Sequence, residues 1–328
     1  MHYLLSGKFR RYHNQSIFER IFDLKTIFLN IRDLVKISLG IVQGIFLLRK
    51  LKADSILLKG GSVSVPAGIG ARLAGVLTIT HDSDAILGVS NRIGGKHAKY
   101  HTTAMPVANI GYSEGKMIHV GLPISDNFRH YSDREVESIK HRLEIPVKSK
   151  VLLITGGSNG AKRLNDWCAE ALPEILDKNP DVYVIFVHGR SKKVDIETSA
   201  KDKKRVMMVD FTDEMHNFGA IADIIVTRAG ATTIAEFSAQ SKALILVPNP
   251  DLTGGHQLKN AKLYADKSAV VLFTEEQFKN SPEQFIETVN DLLNDPEERQ
   301  RLGRNLQRMN PDIPAAKILA ELLIEGRG

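Results

Sequence analysis

A single cysteine, Cys168, stands in a chain of 328 residues, so an intrachain disulfide framework is excluded and a reducing cytoplasm is the default compartment. It sits in an apolar helical pattern, WCAEAL, and reads as a small buried hydrophobe. No secretory leader is expected either, because MHYLLSGKFRRYH carries cations where an apolar core should stand. The longest apolar run, Ile37 to Leu48 (ISLGIVQGIFLL), has 12 residues with Gln43 inside, too short for a bilayer core of roughly 30 Å. There is no repeat of fixed period and no low-complexity tract, which excludes solenoids and disordered linkers as the organising feature. Neither a Walker loop nor GxGxxG occurs, so a P-loop NTPase and a dinucleotide dehydrogenase lose their main support.

What remains is an ordinary globular composition, 43% apolar and 25% charged, long enough for two cores. The net charge of +6 is unevenly spread. GKFRRY (Gly7 to Tyr12) is basic, and Lys36, Arg49, Lys50 and Lys52 meet no acid between positions 36 and 52. Such a half suits phosphates or an anionic membrane surface, or is simply a solvated face. Around the apolar run the pattern predicts a long helix, Ile31 to Leu51, either packed on a sheet or turning an outer face to lipid.

Strands and helices alternate almost throughout, which predicts parallel sheets flanked by helices. Strands are expected at 55–58, 77–80, 100–103 and 116–120, then at 151–155, 182–187, 206–209, 223–226 and 243–247. The charged stretch Gly121 to Lys150 reads as a linker, and helices are expected at 274–294, 296–308 and 314–323. Expected domains are 1–147 and 148–311, with a final helix, about 312–328, packing back on the first.

Glycine-rich turns follow several of these strands, where α/β sheets bind ligands. KGGSVSVPAG places Gly60, Gly61 and Ser62 after the first strand, and TGGSNGAKRLN places Gly156, Gly157 and Ser158 after the fifth. RAGATTIAE (Arg228 to Glu236) runs from a buried strand through a glycine turn into a helix that opens with Thr232 and Thr233. The free N–H groups of such a helix start suit a diphosphate, and Glu236 is spaced to accept from ribose hydroxyls. HQLKNA follows, with His256 either a helix cap or sugar-facing. Asp82, Ser83 and Asp84 have D-x-D spacing. They could bind a divalent cation, supply a general base, or merely hold the loop and cap the next helix.

These segments, in this order, resemble the MurG family of UDP-N-acetylglucosamine transferases from about Ser6 to the C-terminus. KGGSVSVP is similar to the family's second glycine loop, HDSDAILGVSNR to HEQNxxxGxxNR, and GLPI to GNPVR. TGGSNGAKRLN is similar to the third glycine loop, FTDEM to FIDDM, and RAGATTIAE with HQLKNA to the donor signature. The resemblance implies an α/β GT-B fold of two Rossmann-like domains facing a cleft, with the lipid acceptor on the first and the donor mainly on the second. It implies inverting transfer to an undecaprenyl-linked muramyl-peptide at the cytoplasmic face of the membrane, as a peripheral protein. UDP-N-acetylglucosamine, that lipid and an anionic inner-membrane surface are then the partners. No nucleic acid, cofactor or resident metal is implied.

By the same resemblance Ser158 is expected at the diphosphate, Thr212 near the uracil through its backbone, and Ala231, Thr232, Thr233 and Ile234 around the phosphates. Glu236 is expected on the ribose and Gln257 on the sugar hydroxyls. Gly60, Gly61, Ser62 and His81 form a candidate phosphate or acceptor loop, and Asp84 or Asp82 is the candidate base. The chain departs from the pattern at three places. HDSD replaces HEQN, and Ser125 stands where the family has a donor-contacting arginine, with Arg129 the nearest cation. No GxxGGH-like first loop precedes Gly60, so the first domain is expected to be N-terminally truncated and to lack central strands. The alternative function is accordingly a donor-binding subunit or inactive truncated product that needs a separate N-terminal segment. A third reading is a UDP-sugar epimerase on the same architecture.

Overall fold

Near-continuous apolar runs such as VLLIT, VYVIFV, IIVT and ALIL can be strands only if both sheet faces are covered, as in parallel α/β sheets. The computed structural model, which describes residues 2–7, 24–106, 116–157, 161–190, 196 and 200–325, has this arrangement twice. One compact unit comprises Met1–Gly121 and Asp312–Gly328, the other Leu122–Pro311.

In the first unit β1 (Ser55–Leu58), β2 (Leu77–Asp82), β3 (Tyr100–Thr103) and β4 (Met117–His119) pair in parallel in chain order. The long helix α1 runs over Leu24–Leu51, one and a half turns or more before the expected start at Ile31. It packs on α2 (Ser64–Ala74) through glycines: a Cβ at Gly70 would lie 3.2 Å from Ile41 O, and one at Gly44 3.5 Å from Pro66 O. Gln43 interrupts the apolar run for a reason, since its Oε1 accepts from the Leu5 N–H at 3.0 Å. The short helix α3 (Val89–Gly94) meets α2 backbone to backbone, and a Cβ on Gly68 would stand 2.2 Å from Gly94 O. Gly68→Val should therefore destabilise the first unit by about 3 kcal/mol, since the Leu58 side chain can shift but the Gly94 backbone cannot swing aside. Hydrogen exchange reports it: unchanged protection of the β1 to β4 amides in the variant would refute the close contact.

The second unit opens with α4 (Asp133–Arg142), closed at its start by a Ser132–Glu135 capping box. Strands β5 (Lys150–Thr155), β6 (Val182–Val187) and β7 (Val206–Val209) step one way from the sheet centre. β8 (Ile224–Thr227), β9 (Ala243–Leu246) and β10 (Val271–Leu272) step the other way, giving the order β10-β9-β8-β5-β6-β7. The connecting helices are α5 (Lys162–Lys178), α6 (Ala200–Lys203), α7 (Met215–Ile221), α8 (Ala231–Ala239) and α9 (His256–Ala265). The segment expected as one helix over 274–294 is two, α10 (Glu275–Asn280) and α11 (Pro282–Asn294). Pro282 has no N–H to continue α10 and instead starts α11. α12 (Pro296–Arg308) completes the unit. Cys168 lies fully buried in its core with Leu164, Leu172 and Phe186.

The units divide at Gly121 rather than at the expected 147, because residues 122–149 are held by the second unit. The Phe128 ring stands edge-on to His216 and Phe237 at 6.1 and 6.2 Å, and Arg142 pairs with Glu214 at 3.0 Å. These partners lie some 70 to 110 residues away in the chain, where composition gives no sign of them. The last helix, α13 (Ala315–Ile324), belongs to the first unit, with Leu319 and Leu322 against Ile79 and Val120.

Candidate functional site

The order of the second sheet reverses between β5 and β8, and ligands of open parallel sheets bind outside the strand ends at such a reversal. The two strands pair in register up to Thr155 and Thr227, so the turns that follow, Gly156–Gly157 and Arg228–Gly230, leave the sheet side by side. Gly157 has φ 78°, a left-handed conformation that disfavours any side chain. Ser158 lies outside the described residues.

Gly230 caps α8 without a side chain, so no side-chain acceptor covers the N–H groups of Ala231, Thr232 and Thr233. The Ile234 N–H is already given to Gly230 O at 3.0 Å, and its side chain is fully buried in the core. An anion at this helix start therefore meets the first three residues of the expected set. Glu236, in the next turn, is half-buried, with no hydrogen bond or ion pair among the described residues. Burial alone pushes its carboxyl up to about 7.

The donor motifs also hold one another. Asn260 Nδ2 donates to Ala229 O at 3.1 Å, fixing the glycine turn from α9. Gln257 Oε1 accepts from the Asn249 N–H at 2.8 Å, so one end of the residue expected on the sugar hydroxyls is anchored to the loop after β9. His256 is the first residue of α9, and the cap position belongs to Gly255, so His256 does not cap this helix. Arg228 is buried, with Nη1 bonded to Val247 O at 3.1 Å and paired with Glu275 at 2.7 Å. Thr212 Oγ1 accepts from the Glu214 N–H at 2.8 Å, which fixes the turn before α7. Beside it the Arg190 guanidinium covers the Phe211 ring at 4.3 Å.

In the first unit Gly60 and Gly61 follow β1 at φ 88° and 76°, with nothing within 4 Å of where their Cβ atoms would be. Ser62 Oγ is 3.1 Å from Ser6 Oγ, tying the loop to the N-terminal segment. His81 is inside the sheet, its Nδ1 3.0 Å from Thr102 Oγ1. Burial, and secondarily the charge of Lys59, lowers its pKa to about 4, so it is neutral near pH 7 and offers an anion no charge. Asp82 ends β2, buried, with Oδ1 accepting from the Gly88 N–H at 2.8 Å. That bond closes the 82–88 loop, and burial raises the carboxyl above its ordinary range. Asp84 is half-buried, two residues beyond the strand. Among the described residues no three His, Cys, Asp or Glu side chains converge on a metal position. Arg129, the nearest cation to Ser125, is engaged elsewhere: it pairs with Glu135 at 2.6 Å and covers the Tyr131 ring.

Comparison with known proteins agrees with this arrangement. Residues 11–103 match the N-terminal domain of glycosyltransferase family 28 and residues 151–314 its C-terminal domain. The UDP-N-acetylglucosamine--N-acetylmuramyl-(pentapeptide) pyrophosphoryl-undecaprenol N-acetylglucosamine transferase of Desulfotalea psychrophila is 30% identical over 298 residues, 89% of this chain and 78% of the relative. The crystal structure of Acinetobacter baumannii MurG superposes with a TM-score of 0.68 at 22% identity, covering 89% of this chain and 79% of that one. A putative UDP-N-acetylglucosamine 2-epimerase from Listeria monocytogenes shares the fold at TM-score 0.59 and 14% identity, over 88% of this chain and 77% of that one. With two parallel-sheet units of the GT-B type and both domain matches in order, the chain belongs to glycosyltransferase family 28 and, within it, to the MurG family.

Proposed function

We propose that this chain transfers N-acetylglucosamine from UDP-N-acetylglucosamine to the muramyl sugar of an undecaprenyl-diphosphate-linked peptide, with inversion, at the cytoplasmic face of the membrane. The observation that carries the donor half is the pair of glycine turns leaving β5 and β8 in register, with a helix start that has no side-chain cap and, behind them, a Glu236 without a partner among the described residues. The diphosphate lies against the N–H groups of Ala231 to Thr233, where the helix dipole stabilises the charge that grows as the sugar–phosphate bond breaks. Glu236 accepts from the ribose hydroxyls, Thr212 serves the uracil through its backbone, and Gln257 uses its free amide end on the sugar. The acceptor hydroxyl attacks the anomeric carbon from the opposite face and gives its proton to a carboxylate. Asp84 and Asp82 are the two candidates for that role, and one Asp82 oxygen already accepts from the Gly88 N–H. Gly60, Gly61 and Ser62 are the loop offered to the acceptor diphosphate.

Incubation with labelled UDP-N-acetylglucosamine and the lipid-linked muramyl acceptor tests this. Labelled disaccharide lipid is expected, with Asp84→Asn slowing turnover by at least about a hundredfold, the usual scale of a lost general base. A 2-epimer forming from UDP-N-acetylglucosamine without acceptor would replace the transferase reading with an epimerase. Transfer only after a second polypeptide is added would make the chain a donor-binding subunit.

A further inference from the structure

Glu275 belongs to none of the glycine motifs, yet its buried carboxylate is shared by two arginines from different turns of the donor site. Arg228 Nη1 reaches one oxygen at 2.7 Å and Arg163 Nη2 the other at 3.1 Å. Arg163, in the first turn of α5, extends the set outward: it pairs with Asp251 at 2.6 Å and donates to Asn249 Oδ1 at 2.9 Å. Asn249 Oδ1 also accepts from the Asp251 N–H at 3.0 Å, and the Asn249 N–H is the donor that anchors Gln257. One connected set of charges thus joins the turn after β8, the start of α5 behind the other glycine turn, the loop after β9 and the start of α9.

We propose that Glu275 and Arg163 are positioning residues of the donor site: through Asn249 they set the orientation of Gln257, and so the grip on the sugar rather than on the nucleotide. The proposal rests on the donor-site reading above. Its logic is mechanical. Gln257 has one amide end tied to the Asn249 backbone, so the other end points where that loop directs it. The loop is held in turn by the two-sided contact of Arg163 with Asn249 and Asp251. A planar guanidinium can serve Glu275, Asn249 and Asp251 together, whereas an ammonium is a single point. The nucleotide contacts expected at Thr212 and Glu236 lie before α7 and on α8 respectively, outside this chain of bonds.

The test compares the affinities of UDP and UDP-N-acetylglucosamine by calorimetry in the full chain, with melting temperatures alongside. The Arg163 side chain is 42% exposed, so Arg163→Ala is expected to fold. It should weaken UDP-N-acetylglucosamine by about tenfold, the scale of one charged hydrogen bond, while UDP changes by less than about threefold. Asp251→Ala should fall between the two, and Arg163→Lys should not restore the loss. Glu275→Gln, at the buried centre, is expected to shift sugar-nucleotide affinity in the same direction. Should it fail to fold, the Arg163 and Asp251 variants still decide. Equal weakening of both ligands, or unchanged affinities with only a lower melting temperature, would make the set structural and overturn the proposal. Wild-type protein that binds neither ligand would overturn the donor-site reading itself, and this inference with it.

Discussion

Glu236→Ala weakens UDP-N-acetylglucosamine binding by about ten- to a hundredfold at pH 8, the result expected if a charged acceptor worth roughly 1.5 to 3 kcal/mol is lost from the ribose. The wild-type affinity should also depend on pH in a way that identifies the residue. Burial holds the Glu236 carboxyl up to about 7, so in the free protein it is mostly protonated at pH 6 and mostly ionised at pH 8. A carboxylate accepts from both ribose hydroxyls, and a ligand that prefers the ionised form must first remove the proton. Affinity should therefore rise with pH and fall about tenfold per unit below pH 7. A sugar nucleotide carries only phosphodiester charges, which do not titrate in this range, so the slope belongs to the protein. Glu236→Gln should flatten it, and a slope that survives in Glu236→Gln belongs to some other group.

The same carboxyl has an opposite effect on stability. A folded-state pKa raised above the unfolded value contributes stability that is present below about pH 4.5 and lost as the pH climbs through about 7. Without ligand, Glu236→Gln is therefore expected to be more stable than wild type at pH 8, by on the order of 1 kcal/mol once the screening of a half-exposed group is allowed for. Damaged binding together with a raised melting temperature distinguishes a functional carboxylate from a structural one.

The second sheet was legible because β5, β6 and β8 are near-continuous apolar runs followed within three residues by a glycine, a signal carried by consecutive residues. The place of Glu236 was legible for a related reason: helix geometry puts it about one turn behind the start of α8. β10 was missed, since only Val271 and Leu272 of the apolar stretch AVVLF pair in the sheet. The break at Ser281 was missed although Pro282 marks it, because the apolar spacing of α11 continues the pattern of the segment before it.

What stayed hidden depends on distant partners. Nothing in HQLKNA shows that Asn260 holds Ala229 or that Gln257 is tied to Asn249, since those bonds form only once α9 meets the segments that follow β8 and β9. Arg228 begins the donor signature, yet its side chain is buried and bonded to Val247 O. Its partner, Glu275, is 47 positions on, in a stretch whose readable content is a helix start. Asp82 and His81 show the same limit from the other side. Titratable residues at a strand end suggest chemistry, but here the sheet interior makes His81 neutral and gives one Asp82 oxygen to a loop.

Flotation with anionic vesicles at low salt is expected to carry the protein, with neutral vesicles or high salt releasing it. The reason lies in α1, which has two apolar stripes where a helix packed on one side needs one. Asp33, Ile37, Gly40, Gly44 and Leu48 face the unit and are buried. Phe28, Ile31, Val35, Leu39, Val42 and Phe46 recur at intervals of three and four, so they share a second face, and all are exposed, Phe28 and Phe46 by about two-thirds. Sequence alone suggested too many apolar residues for one stripe; Leu39 and Phe46 lie on the outer one, while Ile41 and Leu47 are partly covered. Arg49 and Lys50 are exposed at its C-terminal end, and Lys36 is half-buried along it. The GKFRRY cations Lys8, Arg10 and Arg11 lie outside the described residues. No described helix is long and apolar enough to cross a membrane, so attachment through α1 would lie in the interface plane. Three cations at about 1 kcal/mol each make anionic vesicles preferred by about a hundredfold. Leu39→Glu with Phe46→Glu should abolish flotation without lowering the melting temperature, because neither side chain is part of the core. A doubly substituted protein that still floats would move the membrane contact off α1, and a folded wild-type protein that never floats would remove the lipid surface from the proposed function.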